Sequence, residues 1–374
     1  MCGDSLQEES NRLNGTDAHG HATITQVAEL AGVSISTASK VLSGGRVRPE
    51  LARRVRDAVE QLGYSPDGLA QALRTGKARI LGLEVPYLTH YTASAISEGV
   101  LEAAYAAGYA VAMCAPGDDT DLEQTHLEIL ARQRVAATVA LPLLRVRQAD
   151  PYLELQARGI PVVFVQRRPP GIVADLVASD YQGGTREAVS HLLRQGRRRI
   201  ALLAPVTTFG SNEEREAGYR EAYQEAGLVP PAGLIRFDLR TVEDAFVATR
   251  ALLSGPLSAD ALIAAGSTIV APALACLREL GTRVPGDVAV VGAGDVEWAR
   301  LAEPSLTMIE IDGRDIGRAA VRLALERLAP GGQELPPREL RLPTSLVVRS
   351  SSVVGLVPPV PARPLSLAAM RGLL

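Results

Sequence analysis

The chain has 374 residues, 47% of them hydrophobic, and a formal net charge of −3, a globular composition with room for a small head and a larger core, expected in two lobes. Cys2, Cys114 and Cys276 are isolated and odd in number, which argues against a disulfide framework or zinc cluster and for a reducing cytoplasm. The N-terminus, MCGDSLQEES, is polar and acidic rather than a signal peptide, and the longest apolar runs, such as 135–144, are about ten residues, too short to span a bilayer, so no membrane partner is expected.

Residues 1–22 read as a disordered polar tail. The run TITQVAELAGVSISTASKVLSGG at 23–45 then predicts two short amphipathic helices joined by a tight turn. Ile24, Val27, Ala28 and Ala31 recur at i, i+3, i+4 and i+7, and Thr23 is a natural N-cap. Gly32 supplies the positive φ that the turn needs. Ser34 caps the second helix, in which Ala38, Val41 and Leu42 face inward and Ser36, Ser39, Lys40 and Ser43 face out. A small, polar, partly cationic outer face suits a DNA major groove, whereas the pattern alone also fits an ordinary helical hairpin.

A third helix is expected over 47–62, with Leu51, Val55, Ala58, Val59 and Leu62 inward and Arg53, Arg54 and Arg56 off that stripe. After the break Gly63-Tyr64-Ser65-Pro66 comes a short helix rich in small residues, DGLAQALRTGKAR, marginal alone in water and suited to folding against a partner. Residues 23–79 hold nine Lys/Arg against five Asp/Glu, a charge of +4 that leaves −7 on the rest. A basic head on an acidic body is the footprint of a nucleic-acid binder held by phosphate contacts. The domain plan is a helix-turn-helix head at 23–65, a hinge helix at 66–78, a core at 79–350 and a Pro-rich tail at 351–374, with its spacer LVPPVPARP at 356–364.

From Arg79 the chain alternates strand and helix. Strands are expected at 80–85, 109–114, 138–141 and 162–165, then a second series at 177–180, 200–203, 261–265 and 288–292, with helices at 95–107, 184–195, 213–226 and 270–280. The fold class is α/β, with parallel sheets in two lobes and a ligand cleft at the carboxyl ends of the strands. Enzyme chemistry finds no support. Gly3-Asp4-Ser5-Leu6 spells an esterase-like motif, but in a polar tail with no strand before it. Gly292-Ala293-Gly294 starts a dinucleotide fingerprint that Glu297 ends, and there is no P-loop. His19, His21, His90, His126 and His191 are scattered, so neither a metal set nor a cofactor is expected.

Several stretches then carry a resemblance: VAELAGVSISTASKVLSG, LGYSPDGLAQALRTGKARILGLEVP, GIPVVFVQRRPP, HLLRQGRRRIALL, EREAGYREAYQEAGL, LRELGTRVPGDVAVVGAGDVEWARLAEPSLTMI and LPTSLVVRSS. Over 23–350 the chain resembles LacI/GalR-type transcriptional regulators. The resemblance implies a cytoplasmic repressor with a periplasmic-binding-protein-like core, acting as a homodimer on a near-palindromic double-stranded DNA operator. It implies a small-molecule effector, sugar-like or another metabolite, between the lobes. Its DNA-binding residues fall on Thr23, Ser34, Ile35, Ser36, Thr37, Ser39, Lys40, Arg48, Tyr64, Ala70 and Leu73. Ile35 suits a thymine methyl, Ser36 a donor or acceptor edge and Lys40 guanine, while Thr37 and Ser39 suit phosphates. Leu73 is the minor-groove wedge, and Ala70 lets the hinge sit deep.

The candidate effector-binding set is Tyr87, His90, Tyr91, Gln166, Phe209, Arg215, Ser267 and Asp295, of which Tyr87, His90, Tyr91, Phe209 and Ser267 are included for their place on strand-end loops, where each alone also fits ordinary loop chemistry. Arg215 matches the family's cleft arginine, able to grip a carboxylate, a phosphate or adjacent hydroxyls. Other positions depart from the family. His90-Tyr91-Thr92-Ala93 replaces an Asn-Pro-Phe-Phe-like run, Gln166-Arg167 replaces Asp-Arg, and Gly266-Ser267 replaces Asn-Asp. Gly294 stands where the first of two acids often holds sugar hydroxyls, which tells against a plain sugar. In the head, Leu51-Ala52 and Arg48 depart from the pattern and shift phosphate contacts toward Arg48 and Arg53. The alternatives are the same DNA role without a small molecule, or a solute-binding protein.

Overall fold

The computed structural model describes residues 22–42, 45–64, 79–143, 150–206, 211–255, 257–294 and 297–353. The hinge segment with Ala70 and Leu73, the terminal tails, Phe209 and Asp295 lie outside the described residues. The chain divides into two units, residues 1–78 and 79–374.

In the first unit, α1 (Ile24–Ala31), α2 (Ile35–Leu42) and α3 (Pro49–Leu62) enclose one small core. Val27, Ala28, Ala31, Ala38, Val55 and Ala58 are buried at its centre, with Tyr64 packed at the edge. The turn works as its sequence dictates. Gly32 has φ 59°, and its N–H closes α1 on Ala28 and Glu29 carbonyls. The Ser34 hydroxyl accepts the Thr37 N–H at 3.2 Å and so starts α2.

The second unit holds two six-stranded sheets. The first runs β11-β5-β4-β3-β1-β2 and is parallel throughout. Its strands are β1 (Ile80–Glu84), β2 (Ala110–Cys114), β3 (Ala137–Ala140), β4 (Val162–Val165), β5 (Asp175–Ser179) and β11 (Glu339–Leu342). Helices α4 (Tyr91–Ala106) and α11 (Gly313–Leu328) cover one face, and α5 (Thr120–Arg132) and α6 (Asp150–Ala157) cover the other. The second sheet runs β12-β10-β9-β8-β6-β7, with only β12 antiparallel. Its strands are β6 (Ile200–Pro205), β7 (Ile235–Leu239), β8 (Ala261–Ala265), β9 (Ala289–Ala293), β10 (Thr307–Glu310) and β12 (Ser345–Val347). Helices α7 (Tyr181–Arg194) and α8 (Ser211–Glu225) pack on one face, and α9 (Val242–Ser254) and α10 (Ser267–Glu279) on the other.

The backbone passes between the lobes three times, at Asp180, at Ile311–Asp312 and at Pro343–Thr344. These crossings correct the expected order, in which 177–180 opened the second series. Strand β5 instead pairs with β4 and with β11, Val177 lying opposite Leu340, so it belongs to the first sheet. Helix α11 and strand β11 likewise return to the first lobe. A buried ion pair fixes this return. Arg327 on α11 donates twice to the Asp175 carboxylate, at 2.7 Å each, and again to the Gly332 and Pro336 carbonyls.

Helices α4 and α11 meet backbone to backbone. A Cβ on Gly99 stands only 2.1 Å from the Arg314 carbonyl oxygen, and one on Gly317 only 2.2 Å from that of Ile96. Gly99→Ala is therefore expected to destabilise the core by about 1–3 kcal/mol, since backbone cannot step aside as a side chain does. Urea denaturation, read as a shifted midpoint at unchanged slope, checks this.

Candidate nucleic-acid interface and ligand cleft

The start of α2 is exposed on the head. Ser34, Ser36 and Lys40 are exposed, and Ile35 is 50% exposed although apolar. Thr37 and Ser39 are half-buried beside buried Ala38. The Ser34 hydroxyl lies 2.9 Å from that of Ser36 and 2.8 Å from that of Thr37. Thr23 precedes α1, its N–H donating to Gln26 Oε1 at 3.0 Å. Arg48 is exposed just before α3, while Tyr64 packs into the head core. Exposed polar groups with one exposed apolar side chain at a helix start provide both halves of base readout, hydrogen bonds and methyl contact.

In the core, the strand ends of both lobes open on a cavity of about 420 Å³. Tyr87, His90, Gln166 and Arg215 all line it, as do Gly266 and Thr268 on either side of Ser267. Tyr91 does not. His90 is the N-cap of α4 and Tyr91 its first helical residue, and that step turns the Tyr91 ring onto the core of the second lobe. The rings of Tyr87 and His90 stand 4.6 Å apart. Burial lowers the His90 pKa, with Asp118 raising it and Arg167 lowering it further, so the imidazole is neutral near pH 7.

Gln166 faces the cavity but spends its amide on the protein. Its Oε1 accepts from the Tyr181 hydroxyl at 2.8 Å and the Ser179 N–H at 3.0 Å, and its Nε2 donates to the Ser179 hydroxyl at 3.0 Å. These three bonds hold Gln166 at φ 62°, a left-handed conformation that is strained for this residue type. The Tyr181 ring so fixed lies under Arg215, whose guanidinium carbon is 4.3 Å from the ring centroid. Arg215 also donates to Asn212 Oδ1 at 2.9 Å and the Ser211 hydroxyl at 3.2 Å.

Two lining cations went unread among the sequence candidates: Arg167, next to Gln166, and Arg240, at the end of β7. Burial pushes the Arg167 pKa down to about 10 and lowers that of Arg215, and both remain charged at neutral pH. Among the described lining residues, Arg167, Arg215 and Arg240 face a single carboxylate, Asp118. The first turn of α10 opens on the same cavity through Thr268 and Ile269. The electrostatics thus favour a ligand with negative charge.

A helix-turn-helix head and a two-lobed α/β core around a ligand-sized cleft define the class of DNA-binding transcriptional regulators. Residues 23–67 match the model of bacterial regulatory proteins of the lacI family, and residues 189–352 that of the periplasmic binding protein-like domain. The HTH-type transcriptional regulator CelR of Thermobifida fusca is 33% identical, over 88% of this chain and 98% of CelR. The HTH-type transcriptional regulator KdgR of Bacillus subtilis (strain 168) is 29% identical, over 89% of this chain and 98% of KdgR. A solved lac repressor dimer, bound to operator and the anti-inducer ONPF, is 26% identical with a TM-score of 0.73, over 89% of this chain and 99% of that one. The chain belongs to the LacI family of bacterial regulatory proteins. No helix among the described residues is long and apolar enough to cross a membrane.

Proposed function

We propose that the protein is a homodimeric repressor that binds a near-palindromic operator and releases or tightens on it in response to an anionic small molecule held between the lobes. The observation that carries the reading is the convergence of Arg167, Arg215 and Arg240 on a cavity that closes between two lobes of a family regulator. A carboxylate or phosphate suits a wall that carries those cations, while the Tyr87 and His90 rings and Leu141 supply apolar walls. The lac repressor structure supports operator binding and dimerisation, and exposed Tyr105 on α4 and Val247 on α9 give a second copy apolar surface to cover.

A ligand that binds one lobe angle better than another selects that conformation, and by linkage the factor by which it changes operator affinity equals the factor by which operator changes its own affinity. The experiment is selection of duplexes from a random pool, followed by titration of carboxylated, phosphorylated and neutral metabolites against the selected operator. A change in operator affinity of at least fivefold with an acidic compound, absent with its neutral analogue, is expected. No preference for any duplex over random competitor at moderate salt overturns the DNA reading. Response only to neutral compounds overturns the effector class. Within the operator, Lys40→Ala is expected to cost about 1–3 kcal/mol at one base position. A loss uniform over all sequences reassigns Lys40 to phosphate.

A further inference from the structure

The first lobe carries a second polar cluster, on the face of its sheet that α5 covers. Glu84 ends β1, Cys114 ends β2 directly opposite it in register, and His126 projects from α5. One ligand atom from each of the three lies within 4.8 Å of the others, and Glu84 Oε1 is 3.8 Å from His126 Nδ1. Glu84 is 0% exposed. His126 Nδ1 has no hydrogen-bond partner among the described residues, and the Glu84 carboxyl has only the Cys114 thiol beside it. Each buried polar group left so costs about 1–3 kcal/mol, and a charged one more. A buried carboxyl and an imidazole nitrogen turned toward one another, beside a thiol, are a costly arrangement for packing alone.

The donor set is specific. A thiolate, an imidazole and a carboxylate are together the ligands of a borderline-soft ion, and magnesium or calcium would take oxygen alone. At ordinary zinc–ligand bond lengths, two ligand atoms on a tetrahedral ion sit about 3.3–3.6 Å apart. Glu84 and His126 thus need move only by tenths of an ångström to share one ion. Glu123, one turn before His126, does not compete. Its Oε1 is held by the Tyr152 hydroxyl at 2.8 Å and the Leu143 N–H at 3.1 Å, and its charge adds to the negative potential. Cys114 and His126 are each partly exposed, while His126 Nδ1 itself is turned inward toward Glu84.

We propose that Glu84, Cys114 and His126 bind a divalent transition-metal ion of the zinc class, with the fourth position left to water. On binding, the Cys114 thiol and the Glu84 carboxyl, both of which burial favours in the protonated form, each lose a proton to solvent, and the ends of β1 and β2 are tied to α5. The segments that follow those strands carry Pro86, Tyr87 and Asp118 of the cleft wall. The ion therefore stiffens that wall, whether or not the cleft binds an anion.

The test uses the full chain, reduced without added thiols, stripped by chelator and titrated with Co²⁺ in the absence of oxygen. A sulfur-to-cobalt absorption band in the near ultraviolet, saturating at one equivalent and displaced by Zn²⁺, is expected. Cys114→Ser removes the band, and His126→Gln and Glu84→Gln weaken Co²⁺ binding at least tenfold. Cys2→Ser keeps the band, which separates this cluster from Cys2, His19 and His21 in the N-terminal segment. Absence of the band, or its survival in folded Cys114→Ser, overturns the proposal. Should Cys114→Ser fail to fold, the half-exposed His126→Gln decides: Zn²⁺ raises the melting temperature of the native chain but not of this variant, and an equal rise in both overturns the site.

Discussion

Arg327→Met is expected to destabilise the core by about 3–5 kcal/mol, the largest effect of any single change proposed for its stability. Asp175 and Arg327 are 1% and 8% exposed, so removing the guanidinium strands a buried carboxylate. The loss reaches beyond the pair, because Asp175 also accepts the Arg338 N–H at 2.8 Å, which anchors the start of β11. For a core of this size the melting temperature should fall by roughly 6–20 °C, read by calorimetry. Burial pushes the Asp175 pKa up, but the hydrogen bonds and charge of Arg327 and the Arg338 N–H outweigh it, and the net shift is downward. A carboxyl whose folded pKa is depressed adds stability above its unfolded pKa, near 3.8, and that stability is lost as pH falls through the folded value. The gap between native chain and variant is thus full at neutral pH and closes in acid. A gap independent of pH would trace the loss to packing alone. Changing both partners to apolar residues of similar size should recover much of it, since desolvation then falls on neither.

Arg215→Ala is expected to weaken the effector ten- to a hundredfold or more, the range that loss of one or two charge-assisted hydrogen bonds gives at about 1.5–3 kcal/mol each. Operator affinity without effector should stay within twofold. Arg215→Lys keeps the charge but loses the planar fork and its stacking on Tyr181, so an intermediate loss is expected. The informative control is a neutral analogue. If it loses as much affinity as the acid when Arg215 is removed, the side chain shapes the cleft instead of pairing with charge. Titration calorimetry of both compounds against both variants gives the comparison.

The head was legible because its signals are local. Apolar residues at helical spacing, Gly32 at the turn and Ser34 at the cap all lie within 23–42, and the folded core uses the same residues. The core's alternation was legible too, but the partition of its strands was not. Every residue of β5 is buried, so periodicity says nothing of which sheet it joins, and its partner β11 lies some 160 residues downstream. Strand β7 escaped notice for the opposite reason: Arg236 and Asp238 make this edge strand read as a loop. In the cleft, His90 and Tyr91 looked equivalent until the helix start separated their directions. Arg167 kept the motif's arginine beside the Gln166 departure and was passed over as a cleft residue, although the cavity takes both. The Glu84, Cys114 and His126 cluster had no local sign at all. Its members come from two strands and a helix, and only sheet register brings them together.

The threefold passage between lobes also shapes how the protein is made. The ribosome delivers β1 to β5 early, but α11, which seals one face of their sheet with Ile316, Ala320, Val321 and Leu323, arrives about 130 residues later. At ordinary elongation rates that is on the order of ten seconds. Throughout it, Leu81, Leu83, Val139 and Val163 lie on an unsealed sheet, a natural client for a holding chaperone. A nascent chain cut short at Glu310 would carry most of the second lobe and a first lobe that can never close.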